Sequence, residues 1–242
     1  MSCTNLYDTL ERDLLGSQKA FISITGGGGK TTTMIGLARQ LRARGKRVLI
    51  TTTTKVASPY VLDYGQDIIF SSQEILNFQP KPAQVVFYAH ESEIDGKWRS
   101  PGFEDLSQLY PLYDIIISEA DGSRSLPIKL HTQRDPQIHP LSTATISVMG
   151  LWAIGKNPAE VAFGPEGLIA PKGATIVDEQ YLNWYLAHQE GLLKGSKEYN
   201  RAILFNGCDK GYDRQLLRKL NIPKDVKCYA AAAKEGILYE AF

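Results

Sequence analysis

The sequence predicts an α/β fold in which a mainly parallel β-sheet is flanked by helices. Short apolar runs rich in β-branched residues alternate with segments of helical periodicity, as in crossover units between parallel strands. Four consecutive glycines, Gly26–Gly29, separate one such apolar run from a helical segment. With 242 residues, 43% hydrophobic and 22% charged, the chain can bury one substantial core. We expect one domain over residues 1–242, with a helical segment at about 1–19 and the core at about 20–242.

In the first half of the chain, apolar spacing and flanking residues place each element. Apolar residues recur at near-helical spacing after the glycines, and Gly45 is suited to end that helix as a C-cap. The predicted elements are a helix at 6–15, a strand at 21–24, a helix at 31–44, strands at 47–51, 68–70 and 85–88, and a small hairpin at 91–99.

In the second half, three consecutive isoleucines predict a strand that is buried on both faces. Asp178 is a suitable N-cap for a later helix. The predicted elements are strands at 114–119 and 143–149, a helix at 178–188, a strand at 201–206, a helix at 213–220 and a strand at 226–229.

The glycine run ends in Lys30 and Thr31, an order typical of a phosphate-binding loop between a strand and a helix. Glycines allow backbone N–H groups to point at a polyphosphate, and the start of the following helix adds partial positive charge. We expect Gly26, Gly27, Gly28 and Gly29 to bind phosphates through their backbone. Lys30 is expected at the β- and γ-phosphates, and Thr31 is expected to ligate Mg²⁺.

The loop departs from the pattern G-x-x-x-x-G-K-[ST], because Ile24 stands where the first glycine belongs. It fits better a variant, K-G-G-x-G-K-T-T, in which Thr25 replaces the leading lysine and Thr32 is in register. The alternative interpretation is a flexible glycine hinge beside an ordinary helix.

A second group of candidate residues follows the isoleucine-rich strand. Carboxylates at the end of a buried parallel strand are placed to act beside Mg²⁺, because ligands bind beyond the carboxyl ends of such strands. Asp121 is the predicted metal and catalytic residue, and Glu119 is the alternative, holding a metal-bound water or acting as a base. Gly122 permits a turn toward the γ-phosphate, while Arg124 and Lys129 add donors. A strand followed by Asp-Gly is also an ordinary turn signal.

Four threonines, Thr51 to Thr54, precede Lys55 at the end of the second predicted strand of the core. A loop at this point often supplies a hydroxyl to Mg²⁺ in nucleotide switches, so Thr54 is a candidate ligand. The alternative is a β-branched strand that continues outward. Lys55, with Arg124 and Lys129, is a candidate to replace the leading lysine that the loop lacks.

The late segment from Asn206 to Asp209 is similar to the N-K-x-D box of guanine-specific nucleotide binders. Gly207 stands where that box has a lysine. The competing interpretation is a turn that ends a strand with Asn-Gly. The sequence therefore leaves ATP and GTP open as the bound nucleotide.

Composition limits the classes of partner and the compartment that we expect for the chain. A formal net charge of +1 gives no overall attraction to nucleic acid or to an anionic membrane, and no apolar run has the length of a membrane span. The cysteines Cys3, Cys208 and Cys228 show neither C-x-x-C nor zinc-ligand spacing, which favours a reducing, cytoplasmic compartment.

The combination of four segments resembles the accessory-protein family of selenium-dependent molybdenum hydroxylases. These segments are the glycine loop, the threonine run with Lys55, the stretch Glu119-Ala-Asp-Gly-Ser-Arg124 with Pro127 and Lys129, and the late Asn-x-x-Asp. The resemblance covers about 23–209 and is most specific at 119–129. It implies a P-loop NTPase-like fold and a role in preparing or delivering a selenium-containing molybdenum cofactor. The implied partners are a molybdenum hydroxylase or its cofactor-maturation proteins.

Two elements depart from the family pattern. Trp152, in Gly150-Leu-Trp-Ala, occupies an acidic position, and Phe163-Gly-Pro-Glu166 stands where the family tends to show His-Arg before Pro/Ala-Glu. Either change is compatible with altered substrate chemistry and retained nucleotide binding. His131 and His139 are open between a substrate contact and an ordinary surface position.

From these residues we expect Mg²⁺-dependent binding and hydrolysis of a nucleoside triphosphate, with Lys30, Asp121 and Glu119 as catalytic residues. One alternative is a nucleotide-switched chaperone or partner-binding module without turnover of its own. Another is a kinase or nucleotidyltransferase that acts on a small molecule.

Overall fold

A computed structural model describes residues 4–16, 19–94, 96–196 and 200–242 of the chain. It contains a ten-stranded sheet flanked by helices, a three-stranded sheet and a two-stranded sheet. The predicted α/β class with a mainly parallel sheet is confirmed. Cys3 lies outside the described residues.

The strands follow the alternation of apolar runs and turn residues. They are β1 (Thr4–Asn5), β2 (Ala20–Gly26), β3 (Val48–Thr52), β4 (Lys55–Ala57), β5 (Ile68–Phe70), β6 (Val85–Tyr88), β7 (His90–Glu91), β8 (Lys97–Arg99), β9 (Ile115–Glu119), β10 (Ile128–Lys129), β11 (Ala144–Gly150), β12 (Ala162–Phe163), β13 (Arg201–Asn206), β14 (Val226–Ala232) and β15 (Ile237–Ala241).

The α-helices are α1 (Leu6–Leu10), α2 (Lys30–Ala43), α3 (Phe103–Leu109), α4 (Pro158–Val161), α5 (Glu179–Ala187) and α6 (Arg214–Arg218). A π-helical turn, Glu11–Leu15, continues α1, and 3₁₀ turns form at Gln73–Asn77, Leu151–Ala153 and Cys208–Lys210. Asp178 caps α5 as predicted, since its carboxylate accepts the Tyr181 N–H at 2.9 Å.

The ten strands of the large sheet lie in the order β1-β15-β14-β13-β11-β2-β9-β3-β6-β5. All neighbours from β14 to β5 are parallel, while β15 is antiparallel to β14 and β1 is antiparallel to β15. The small sheets are β4-β8-β7 and β10-β12.

Both faces of the sheet are buried, because successive side chains of a strand point to opposite faces. On β2, Ile22 and Ile24 pack into one cluster with the apolar side of α2, whereas Phe21 packs into another with α3. A third cluster joins β13 and β14 to α5 and α6. This layering holds the ends of the central strands in fixed positions.

The chain reverses its direction of travel across the sheet around β2. After β2 it passes through α2 to β3, which lies beyond β9, and after β9 it crosses to β11 on the other side of β2. Ligands of open α/β sheets bind beyond the carboxyl ends of the strands at such a point. The glycine loop follows β2 directly.

Some elements were not predicted from the sequence, namely β1, β4, α3, β10, α4, β12 and β15. Each has seven residues or fewer, too short for apolar periodicity to stand out. The helix predicted at 6–15 changes its winding at Glu11. Among the helices in the described ranges, none has the length and apolarity needed to cross a membrane.

Candidate active site at the carboxyl ends of β2 and β9

The glycine loop connects the end of β2 to Lys30, the first residue of α2. The Gly26 N–H donates to Asp121 Oδ2 at 2.7 Å, and Lys30 Nζ donates back to the Gly26 carbonyl at 2.6 Å. Gly28 and Gly29 have φ of 73° and 131°, which L side chains rarely adopt. The loop therefore has a fixed conformation tied to the segment after β9, which argues against a flexible hinge.

Glycine at 27 and 28 is also required by close packing. A Cβ atom on Gly27 would lie 2.4 Å from the Leu126 carbonyl oxygen, and one on Gly28 would lie 2.5 Å from the Gly150 nitrogen. These contacts would collide with backbone. The loop is thus wedged between the segment after β9 and the end of β11, and its sequence serves packing as well as any ligand.

Lys30 is the centre of a buried ionic cluster. Its Nζ lies 3.0 Å from Asp121 Oδ1 and 3.8 Å from Glu119 Oε1, and its side chain is 4% exposed. Burial alone would lower the pKa of Lys30, but the two carboxylates outweigh it and raise that pKa. Lys30 therefore remains charged at the centre of the site.

The two carboxylates differ in their tendency to ionise. Burial opposes the charge of Asp121, but Lys30 and the donors from His131 and Gly26 hold its pKa below the usual value. Burial dominates for Glu119, and its pKa is raised despite Lys30 and a 2.9 Å hydrogen bond from Thr31 Oγ1. Asp121 thus favours its ionised form, whereas burial favours the protonated form of Glu119.

His131 completes the cluster, a contact that the sequence did not predict. Its Nε2 is 2.7 Å from Asp121 Oδ2 and its Nδ1 is 3.0 Å from the Gly191 carbonyl oxygen. Asp121 is therefore held between the ammonium group of Lys30 and the ring of His131.

His131 and His139 are both buried, so neither is the ordinary surface histidine that the sequence left open. His139 stacks on Phe21, with ring centroids 4.6 Å apart. Their burial had no sequence signal, because it depends on how the loop after β10 folds back onto the sheet.

A cleft of about 480 Å³ opens beside the cluster. Its lining combines backbone of the loop, several cations, one carboxylate and two aromatic side chains. The lining residues are Gly28, Gly29, Lys30, Thr31, Thr32, Lys55, Val56, Ala57, Leu62, Tyr64, Lys97, Glu119, Gly122, Ser123, Arg124, Ser125, Trp152 and Asn206. Most of the predicted site residues meet here.

Thr25 and the threonine run are used mainly inside the sheet. Thr25 Oγ1 lies 3.1 Å from Ser147 Oγ on β11. The hydroxyls of Thr51 and Thr52 donate to the carbonyls of Tyr88 and Glu119, at 2.7 and 3.0 Å. The Thr54 N–H donates to Thr52 Oγ1 at 3.0 Å, and Thr54 is not among the residues that line the cleft.

The three cations that could replace the leading lysine of the loop lie in different places relative to the cleft. Lys55 and Arg124 line the cleft and are partly or fully exposed. Lys129 is buried 2.6 Å from Asp135 Oδ2, with its Nζ 4.7 Å from the centroid of the Phe163 ring. Lys129 therefore lies outside the cleft lining, and Lys97 on β8, which the sequence did not single out, is a further lining cation.

The segment after β13 supports the loop through Asn206. The Asn206 Nδ2 donates to the Gly28 carbonyl at 2.8 Å, and its Oδ1 accepts the Ala233 N–H at 2.9 Å. Asp209 is exposed and is not among the lining residues. The structure brings Asn206 to the site and leaves Asp209 away from it.

The donor set suits a hard cation. Thr31, Glu119 and Asp121 offer oxygen atoms, which Mg²⁺ prefers, and Asp121 Oδ1 is buried without a hydrogen bond, although Lys30 lies beside it. Within the described ranges, no cluster of three or more His, Cys, Asp or Glu side chains has the arrangement of a metal site. A bound Mg²⁺ would thus need ligands beyond the protein, as it has when it binds with phosphates and water.

Comparison with known proteins relates the sequence of this chain to a family. The family model described as "YqeC protein" matches residues 22–166, which include the glycine loop, β9 and the cluster around Asp121. The chain is also 35% identical over 149 residues to "Uncharacterized protein YqeC" of Escherichia coli (strain K12). That alignment covers 58% of this chain and 56% of the relative, so the chain spans little more than half the length of the curated relative. Because the family model covers more than half of the sequence, the chain belongs to the YqeC protein family.

Proposed function

We propose that the chain binds a nucleoside triphosphate with Mg²⁺ in the cleft and hydrolyses it. The proposed biological role is that of an accessory factor in the maturation of a selenium-dependent molybdenum hydroxylase or its cofactor. The observation that carries the chemical proposal is the buried Lys30, which lines the cleft and is held by the glycine loop and two carboxylates.

Binding of the triphosphate follows from the lining of the cleft. Gly28 and Gly29 present loop backbone at the start of α2, where the partial positive charge of a helix favours anions. Lys30 supplies a charge for the β- and γ-phosphates, and Lys55 and Arg124 supply charge at the rim. Mg²⁺, when bound, neutralises phosphate charge and orients the terminal phosphoryl group.

The proposed hydrolysis uses two carboxyl groups in different roles, and the environment shifts the pKa values of Asp121 and Glu119 in opposite directions. Asp121 stays ionised and serves the metal through an oxygen or a bound water. Glu119 has a raised pKa and lines the cleft, so it is suited to accept a proton from an attacking water. Thr31 orients Glu119 through the 2.9 Å hydrogen bond between Oγ1 and Oε2.

The accessory role rests on family membership and on the resemblance carried by residues 119–129. Two buried thiols bear on how such a role is performed. Burial raises the pKa of Cys208 and of Cys228 to about 12, so both stay protonated at neutral pH. Neither is therefore suited to carry selenium as a thiolate.

The test replaces Lys30 and measures binding of ATP and GTP with Mg²⁺ by calorimetry. Lys30→Ala is expected to weaken both nucleotides at least about 100-fold and to abolish turnover, because a buried charge at the phosphates is lost. Lys30→Met keeps the length of the side chain without its charge and should behave in the same way. Lys224→Ala, which removes an exposed lysine, is the matched control.

Unchanged affinity for both nucleotides in folded Lys30 variants would contradict the proposal. Turnover by the isolated chain distinguishes hydrolysis from a pure nucleotide switch. Product analysis distinguishes release of inorganic phosphate from transfer to a small-molecule acceptor.

A further inference from the structure

Trp152 borders the same cleft on the side away from the carboxylates. It lies in the 3₁₀ turn after β11, and β11 neighbours β2 on the side opposite β9. The side chain is 39% exposed, although large aromatic side chains normally bury most of their surface. It lines the cleft together with Gly28, Gly29 and Asn206.

Two glycines make room for the Trp152 ring. A Cβ atom on Gly150 would lie 2.7 Å from ring carbons Cζ2 and Cη2, and one on Gly207 would lie 2.9 Å from Cε3. Any larger residue at either position would push the ring out of place. Gly207, at the position of the lysine in an N-K-x-D box, thus gives space to an aromatic ring from a neighbouring strand end.

A second, smaller cavity lies behind the ring. This cavity of about 290 Å³ is lined by Trp152, Gly207, Lys210 and Tyr212, among others. Lys210 Nζ is 5.5 Å from the ring centroid, within the range of a cation–π contact, and it lines this second cavity rather than the cleft. Trp152 therefore borders both the cleft and the second cavity, and Lys210 contacts its ring from the second cavity.

The charge of the lining sets the direction of a bound nucleotide. The lining cations Lys30, Lys55, Lys97 and Arg124 come from the start of α2, from β4, from β8 and from the segment after β9. The ends of β11 and β13 contribute the neutral Trp152 and Asn206. The triphosphate group of a nucleotide is attracted to these cations, which leaves the uncharged end of the nucleotide toward Trp152. That end of a nucleotide is an aromatic base, which stacks on an exposed ring.

We propose that Trp152 is the platform on which the nucleobase of the bound nucleotide stacks. This inference rests on the proposed function and names the part of the substrate that the β11 side recognises. Every base has a π-face, so stacking discriminates a nucleotide from inorganic triphosphate but discriminates weakly between adenine and guanine.

The experiment compares ATP, GTP and inorganic tripolyphosphate, each with Mg²⁺, by calorimetry on the wild type, Trp152→Ala and Trp152→Phe. Trp152→Ala should weaken ATP and GTP by similar factors of about 5- to 150-fold, the range that loss of one stacked base corresponds to. Its affinity for tripolyphosphate should not change, which also shows that the variant is folded. Trp152→Phe keeps a ring and should retain most of the affinity for both nucleotides.

Fluorescence supplies an independent measurement. The nucleotides should quench the tryptophan emission of the wild type and of Trp184→Phe, but not that of Trp152→Phe, and tripolyphosphate should quench none of them. Trp152→Ala that binds ATP and GTP as tightly as the wild type would overturn the inference. Loss of tripolyphosphate binding in Lys30→Ala tests the proposed function separately, and a wild type that binds none of the three compounds overturns both proposals.

Discussion

The segments after β9 and after β13 both reach the glycine loop, but they do so by different physics. After β9, Glu119 and Asp121 form buried ionic contacts with Lys30, and the ring of His131 contacts Asp121 from the other side. After β13, the neutral Asn206 joins the loop to β14 through two ordinary hydrogen bonds. The end of β9 thus holds the loop through charged groups, and the end of β13 holds it through neutral hydrogen bonds.

The difference has a consequence for the roles of nearby acids. Asp121 is fully buried and Asp209 is exposed, although both follow a buried strand by a few residues. Buried ionised groups respond strongly to the loss of a partner, whereas an exposed carboxylate is hydrated with or without one. Substitutions at the two strand ends should therefore differ by orders of magnitude in effect.

The largest effect is expected for Asp121→Asn. The change keeps the shape and removes the negative charge, so nucleotide should still bind while Mg²⁺-dependent turnover falls at least about 100-fold. Steady-state turnover across a Mg²⁺ titration is the measurement, with thermal unfolding as a check on the fold. Asp209→Asn is the matched control at the other strand end, and normal Mg²⁺-dependent turnover in Asp121→Asn would transfer the metal role to Glu119.

An intermediate effect is expected for Glu119→Gln, in stability against pH. The pKa of Glu119 is raised by folding, so the native state holds its proton more tightly than the unfolded state and loses stability as pH rises above a glutamate's usual pKa of about 4.3. Glutamine cannot ionise and avoids that loss. The variant should match the wild type near pH 4 and exceed its melting temperature by a few degrees at pH 8.

Glu74→Gln, at an exposed glutamate, is the control for this pH series. It should follow the wild type at every pH. A Glu119→Gln curve that runs parallel to the wild-type curve across the series would show that Glu119 is ionised equally easily in the folded and unfolded chains.

The smallest effect is expected for Asp209→Ala. Because Asp209 is exposed and outside the cleft lining, the ratio of GTP to ATP affinity should stay within about twofold of the wild-type ratio, the usual range for a surface substitution. Parallel calorimetric titrations with the two nucleotides measure it. A GTP preference that the substitution erases would instead make this segment a guanine-reading box.

The positions of several strands along the chain, and that of the glycine loop, were predictable because they follow from local sequence patterns. Apolar runs gave β5, β6 and β13 with their observed bounds, and the glycine run with Lys30 marked the start of α2. Asp178 was identifiable as a cap because capping is decided within one helical turn.

The contacts that make the cluster were not predictable, because they join residues far apart in the chain. His131 reaches Asp121 only because the segment after β10 folds back, and Asn206 reaches Gly28 across 178 positions. The sequence singled out Trp152 only as a departure from the family pattern, and its place at the cleft was not predictable, since it depends on Gly150 and Gly207 meeting in space. The phosphate-binding chemistry that sequence patterns indicate for the loop stays a prediction, while tertiary packing decided the neighbours of the loop.

The contacts of Lys30 bear on which anions could reach it. Its ammonium group is already matched by Asp121, Glu119 and the Gly26 carbonyl, so an incoming anion must compete with these three partners. If the cleft binds a nucleotide as proposed, a single phosphate ion offers too few contacts to displace them, whereas a triphosphate would also gain the loop backbone and the rim cations. The internal ion pairing would then set a threshold that favours long polyphosphate chains over small anions.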